Sequence, residues 1–295
     1  MEIKEGYIEW KEYKTYYRIV NPNGKKIPLC ILHGGPGSTH NSYEVFDHVA
    51  FDDDRPIIMY DQLGCGLSSL EGEHKTLWRK DVWVEELEEL RKQLHLEKLH
   101  LMGHSWGGML AIIYLCDYQP QGIQSVILSS TLSSAALWKQ ETHRLLKLLP
   151  QVYQDAIELG EATQAYDSLE YQEATKQYMH KFVGGPWPKD APECLTRAKK
   201  TGREAYVVAW GESEFAPSGN LRNYDYTSKL NQITCPVLLT SGADDESTPY
   251  QNKVMFEQIQ SEKKWILFPR SRHMSYVEEH DDYVKELLSF LHDHE

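Results

Sequence analysis

Residues 101–110, LMGHSWGGML, decide how the rest of the chain is read. An apolar run ends at Gly103, one serine follows between small residues, and a second apolar run begins at Met109. Gly103-His104-Ser105-Trp106-Gly107 is a Gly-x-Ser-x-Gly match lying between a predicted strand (98–103) and a predicted helix (106–118). A serine there sits on a strained turn, and only glycine tolerates the crowding on either side. Ser105 is therefore either a nucleophile or only a hydroxyl on a glycine-rich turn. The first reading requires a base and an orienting acid from loops at the carboxyl ends of other strands.

The strands are present. Apolar runs recur at 27–35 (IPLCILHGG), 55–62 (RPIIMYDQ), 98–103 (KLHLMG), 124–130 (QSVILSS), 235–242 (CPVLLTSG) and 263–269 (KKWILFP). Near-continuous hydrophobic strands imply a sheet covered on both faces. Helical patterns at 77–96, 106–118, 250–260 and 280–294 alternate with them, which predicts an α/β fold with a mostly parallel central sheet. The alternating stretch 6–20 reads as an antiparallel hairpin on the sheet edge. Between 133 and 232 the alternation gives way to amphipathic helices and a Pro/Gly cluster, GGPWPKDAP (184–192), before strand and helix resume at Cys235. The economical reading is a core of 1–132 and 233–295, with a helical cap, 133–232, inserted after the sixth strand.

Bulk properties narrow the function. The 295 residues carry 31 Lys and Arg against 44 Asp and Glu, a formal net charge of −13, which disfavours nucleic acid or an anionic membrane as partner. The five cysteines form no Cys-x-x-Cys pair, so neither a zinc site nor a disulfide framework is expected. No metal or other cofactor is implied. No stretch approaches the ~18 continuous apolar residues of a membrane span. A cytoplasmic protein is expected.

The remaining site members come from two strand ends. The run 235–242 leads into ADDESTP, presenting Asp244 and Asp245, and the last strand leads into PRSRHMS, presenting His273. Asp245, three residues past Gly242, is the expected orienting acid and Asp244 the alternative. His273 would act as base. His33 and His104 are competing histidines, both expected to hold structure rather than protons in flight. HGGPG (33–37) follows a strand, and its glycines let backbone N–H groups approach a substrate. The N–H groups of Gly35 and Trp106 are the expected oxyanion donors.

Taken in order, LHGGPGS (32–38), YDQLGCGLSS (60–69), GHSWGG (103–108), GADDESTP (242–249) and SRHM (271–274) resemble the proline iminopeptidase family, also called prolyl aminopeptidases, of the α/β-hydrolase superfamily. The resemblance spans nearly the whole chain. It implies the α/β-hydrolase fold, a peptide substrate with a free N-terminal proline, and a serine mechanism. It also implies two ammonium-binding glutamates, Glu214 in the cap and Glu246 after Asp245, since a desolvated cation needs carboxylates. Trp106 is expected to place its indole against the substrate ring. Trp138, Tyr206 and Phe215 are weaker pocket candidates. Cys65 is read either as a neighbour of the pocket, sensitive to bulky thiol reagents, or as a buried turn residue. A Pro-X dipeptidase and a carboxylesterase are the competing activities.

Overall fold

A computed structural model describes residues 2–295. Eight strands form one sheet: β1 (Ile3–Trp10), β2 (Tyr13–Val20), β3 (Leu29–Leu32), β4 (Ile57–Tyr60), β5 (Leu99–His104), β6 (Ile123–Ser129), β7 (Val237–Gly242) and β8 (Lys263–Phe268). The spatial order is β1-β2-β4-β3-β5-β6-β7-β8. The hairpin β1–β2 pairs antiparallel and attaches antiparallel to β4; every later neighbour is parallel. Alternation along the strands divides their side chains between two cores. Cys30, Leu32, Ile58, Tyr60, Leu99 and Leu101 face one side with α2 (Lys80–Gln93) and α3 (Trp106–Ile113). Leu29, Ile31, Ile57, Met59 and Met102 face the other, where Val49 of α1 (Asp47–Asp52) and Leu287 of the last helix are packed.

Five helices lie between β6 and β7: α4 (Ala135–Leu146), α5 (Gln151–Thr163), α6 (Leu169–Phe182), α7 (Glu193–Thr196) and α8 (Arg203–Ala209). They hold a third cluster, with Ile157, Tyr171, Ala174, Tyr178 and Phe215 at its centre. The amphipathic run 137–159 is two helices, because Pro150 precedes α5 and cannot donate to a continuing ladder. After β7 come α9 (Pro249–Gln258), α10 (Ser275–Glu278) and α11 (His280–His292).

Local detail departs from the sequence reading in three places. Strand 27–35 shortens to β3, releasing the HGGPG loop. The helix expected over 106–118 is α-helical only to Ile113 and then widens into a π turn over Tyr114–Tyr118. A 3₁₀ segment, His40–Phe46, and α1 occupy a stretch that carries no periodic apolar pattern.

Candidate active site

Ser105 lies between β5 and α3 with φ 54° and ψ −122°, a region costly for a side chain other than glycine. The surroundings hold it there. Its N–H donates to Ser129 O at 3.0 Å, and its carbonyl accepts from Thr131 Oγ1 at 2.7 Å. The flanking glycines are obligatory: a Cβ on Gly103 would stand 2.3 Å from Gly107 O, and one on Gly107 only 2.0 Å from Leu32 O. The turn thus presses β5, α3 and the end of β3 together, and Ser105 is left partly exposed.

The loops after β7 and β8 meet at the adjoining His104, whose ring lies 4.7 Å from that of His273. His273 Nδ1 lies 2.7 Å from Asp245 Oδ1, while Asp244 faces solvent. Asp245 also accepts from Ser247 N–H at 2.7 Å and Gly242 N–H at 3.3 Å, so both its oxygens are committed. An ionised carboxylate only accepts, which places the histidine proton on Nδ1 and leaves Nε2 as an acceptor. The His273 carbonyl accepts from His104 Nε2–H at 2.9 Å, and the His273 N–H donates to Phe182 O at 3.3 Å. Burial lowers His104 to about 3, so its imidazole is neutral and serves as a fixed donor. His33, lowered by burial to about 4, accepts from Gln62 N–H through Nε2 and bonds Gly34 O through Nδ1.

The HGGPG loop passes close against the serine: a Cβ on Gly34 would lie 3.1 Å from Ser105 Cβ. Gly35 adopts φ +119°, where a side chain would strike Gly37 N at 2.6 Å and Ser38 N at 2.7 Å. The Trp106 N–H begins α3 and has no intrahelical acceptor by position. Gly34 and Trp106 thus flank Ser105 directly, with Gly35 the next residue along the loop.

A second set of charges faces the histidine. Glu246 Oε1 lies 3.9 Å from His273 Nε2, and Glu246 Oε2 is buried with no hydrogen-bond partner among the described residues. Burial, together with the charges of Glu214 and Asp245, raises the Glu246 carboxyl well above its ordinary range. Burial also raises Glu214, against the bond from the Tyr206 hydroxyl and the nearby His273. Two acidic groups thus share one site, with His273 against both. Glu214 and Gly35 line a cavity of about 380 Å³, walled by Tyr171, Met179, Tyr206 and Arg203. No group of three or more His, Cys, Asp or Glu side chains among the described residues could hold a metal ion.

Comparison with known proteins gives the family. The sequence model of the α/β hydrolase fold matches residues 27–280. The proline iminopeptidase of Lactobacillus helveticus (strain DPC 4571) is 52% identical over 295 residues, covering all of both chains. The chain belongs to the proline iminopeptidase family of α/β hydrolases. Among solved structures, VinJ superposes with a TM-score of 0.89 at 28% identity, covering 99% of each chain. The Mycobacterium smegmatis proline iminopeptidase gives 0.86 at 26%, covering 99% of this chain and 98% of that one.

One expected role fails and one open alternative is decided. The Trp106 indole is buried in the core: it donates to Gln62 Oε1 at 2.8 Å and meets Trp83 edge-on at 5.0 Å. It cannot stack on a substrate, because α3 turns that side chain toward α2. Cys65 is fully buried, its thiol bonded to Gln62 O at 3.0 Å and pushed up by burial and by Asp61 and Glu86, so it is a closed turn residue rather than a reactive thiol. Of the cap aromatics, Tyr206 holds Glu214, and Trp138 donates to the Glu214 carbonyl at 3.0 Å with its ring 6.4 Å from that of His273. Phe215 is buried against Tyr178.

Sequence reasoning missed three contributors. Phe182 O accepts from both Glu246 N–H and His273 N–H at 3.3 Å. Glu141 of α4 is buried and accepts from Thr248 Oγ1 at 2.7 Å, tying the inserted helices to the loop carrying Asp245. The Tyr178 hydroxyl is buried and unpartnered among the described residues. Only the Pro and Gly residues after α6 hinted at a structured junction; carbonyl roles leave no signature in residue type.

Proposed function

We propose that this chain is a serine aminopeptidase that releases proline from the free N-terminus of short peptides. The observation carrying this reading is the Glu214–Glu246 pair beside His273, with Glu246 buried and its Oε2 unpartnered among the described residues and Glu214 half-buried on the cavity wall. Two like charges held out of water are costly unless a cation joins them. An N-terminal ammonium between the glutamates would satisfy both and bring the first carbonyl of the peptide to Ser105. The relatives' shared name, proline iminopeptidase, points to the same substrate.

In the reaction, His273 Nε2 takes the Ser105 hydroxyl proton as Oγ attacks the prolyl carbonyl. The Gly35 and Trp106 N–H groups receive the oxyanion, and Asp245 stabilises the imidazolium through Nδ1–H. Collapse breaks the C–N bond, and His273 returns its proton to the departing amine. The prolyl ester on Ser105 is hydrolysed by water activated at the same Nε2, releasing free proline. Residues 133–232 act as the cap, contributing Glu214, Tyr206 and the Phe182 carbonyl. The five free cysteines fit a reducing, cytoplasmic setting.

A panel of prolyl p-nitroanilide, its N-acetyl derivative and a short-chain ester tests the proposal. Cleavage of the free prolyl amide with loss of cleavage on N-acetylation is expected. Indifference to acetylation, with better turnover of the ester, would make the chain a carboxylesterase.

A further inference from the structure

We infer that Arg203 binds the C-terminal carboxylate of the peptide substrate, making a free di- or tripeptide, rather than the end of a long chain, the matched ligand. This rests on the aminopeptidase reading, whose ammonium end is fixed at Glu214 and Glu246. Arg203 lies on the same cavity wall system as Glu214, with Gly35 and Pro36 also lining that cavity. The cavity wall thus carries two carboxyl groups, Glu212 and Glu214, the proposed oxyanion loop and one guanidinium, with Glu212 paired to Arg203. Glu214 and Arg203 are the members of that wall that complement a short zwitterionic peptide, positive at its N-terminus and negative at its C-terminus. The volume of about 380 Å³ is at the small end for ligand sites, which suits a short peptide.

The position of Arg203 is built rather than accidental. Gly202 donates its N–H to Gly37 O at 2.8 Å, so the backbone before Arg203 is hydrogen-bonded to the HGGPG loop. The contact is close enough that a Cβ on Gly37 would lie 2.5 Å from Gly202 O, and one on Gly202 would lie 2.5 Å from Gly64 O. Neither side can shift without the other. The guanidinium has one carboxylate partner, Glu212, and its side chain is 63% exposed. A guanidinium offers five N–H donors, so a single carboxylate leaves donors free for a second, and the exposure keeps the desolvation cost of engaging it small. Glu212 steers the arginine from the same wall and competes with the incoming anion.

The measurement is kcat/KM for Pro-Gly-Gly and for Pro-Gly-Gly-amide, in the wild-type chain and in Arg203→Gln, Arg203→Lys and Glu212→Gln variants. The wild-type chain is expected to prefer the free acid. Arg203→Gln should lower the acid-to-amide preference about tenfold, the size of one charge-assisted contact at a partly exposed site. Arg203→Lys should restore part of it, and Glu212→Gln should raise it. Equal kcat/KM for acid and amide in the wild-type chain, or an Arg203→Gln preference unchanged from wild type, overturns the assignment while leaving the aminopeptidase reading intact. Failure of the wild-type chain to cleave prolyl p-nitroanilide overturns both.

Discussion

Glu86 offers a quantitative test of how the loop under the site is held. It is fully buried on α2 and accepts Leu63 N–H at 2.8 and 3.1 Å and the Thr15 hydroxyl. Burial raises its carboxyl from 4.5 to about 8, against the bonds from Thr15 and Leu63. With the folded value above the unfolded one, the stabilisation is complete below pH 4.5 and is lost as pH rises toward 8. Between those limits only the folded chain holds the proton, so stability falls by about 1.4 kcal/mol per pH unit. Integrated from pH 5 to 8, this one group costs roughly 3.5 kcal/mol. Glu86→Gln keeps the shape and removes the titration, while every other group cancels between the two proteins. Urea unfolding followed by tryptophan fluorescence at pH 5, 6, 7 and 8 gives the difference, wild type minus variant. That difference should drop by roughly 3.5 kcal/mol across the series with equal urea slopes in both proteins. A flat difference would show that Glu86 is ionised throughout and that its hydrogen bonds outweigh burial.

The paired glutamates should trade stability for activity. Glu246→Gln is expected to raise the urea midpoint at neutral pH, since a carboxyl raised by burial must take up a proton on folding and glutamine need not, yet to lower kcat/KM for prolyl p-nitroanilide by about 100-fold or more with far less effect on an ester. Because both carboxyls are raised, ammonium binding should expel protons: calorimetry of prolinol binding at mildly acidic pH, in buffers of different ionisation heat, should register net proton release that Glu246→Gln reduces. Trp106→Phe removes the indole bond to Gln62 and should cost about 2 kcal/mol of stability, seen as a lowered unfolding midpoint, without abolishing turnover. Cys65 should resist a bulky aromatic disulfide reagent in the folded enzyme and react only on unfolding.

What the sequence disclosed was local. The Gly-x-Ser-x-Gly turn is legible because its small residues sit together between an apolar strand and an apolar helix, although the crowding that demands Gly107 comes from Leu32 far away in the chain, and the central strands are legible because both faces of each are apolar. The pairing of His273 with Asp245 could be narrowed to two adjacent aspartates by spacing; the side chain that faces inward follows from the loop after β7, which no periodicity reports. The Trp106 indole departs from the sequence expectation for a related reason. Adjacency to Ser105 fixes its backbone, but the helix rotation sends its indole toward Trp83. Glu86, Glu141 and Gln62 look like ordinary surface polar residues until the fold buries them, since the contacts with Leu63, Thr248 and Trp106 that mark them as interior span at least 23 positions of the chain.

The carbonyl of Phe182 bears on how such enzymes could be diversified. One oxygen at the end of α6 receives both the backbone of the proposed base and the backbone of Glu246, proposed to bind the ammonium. A lid grafted from a distant hydrolase could carry any desired specificity side chains and still fail, unless its own chain delivered an acceptor to that point. The inserted helices are therefore a poor interchangeable module. Substrate range in this lineage is more readily reshaped by substitutions along the cavity wall than by exchange of the whole lid.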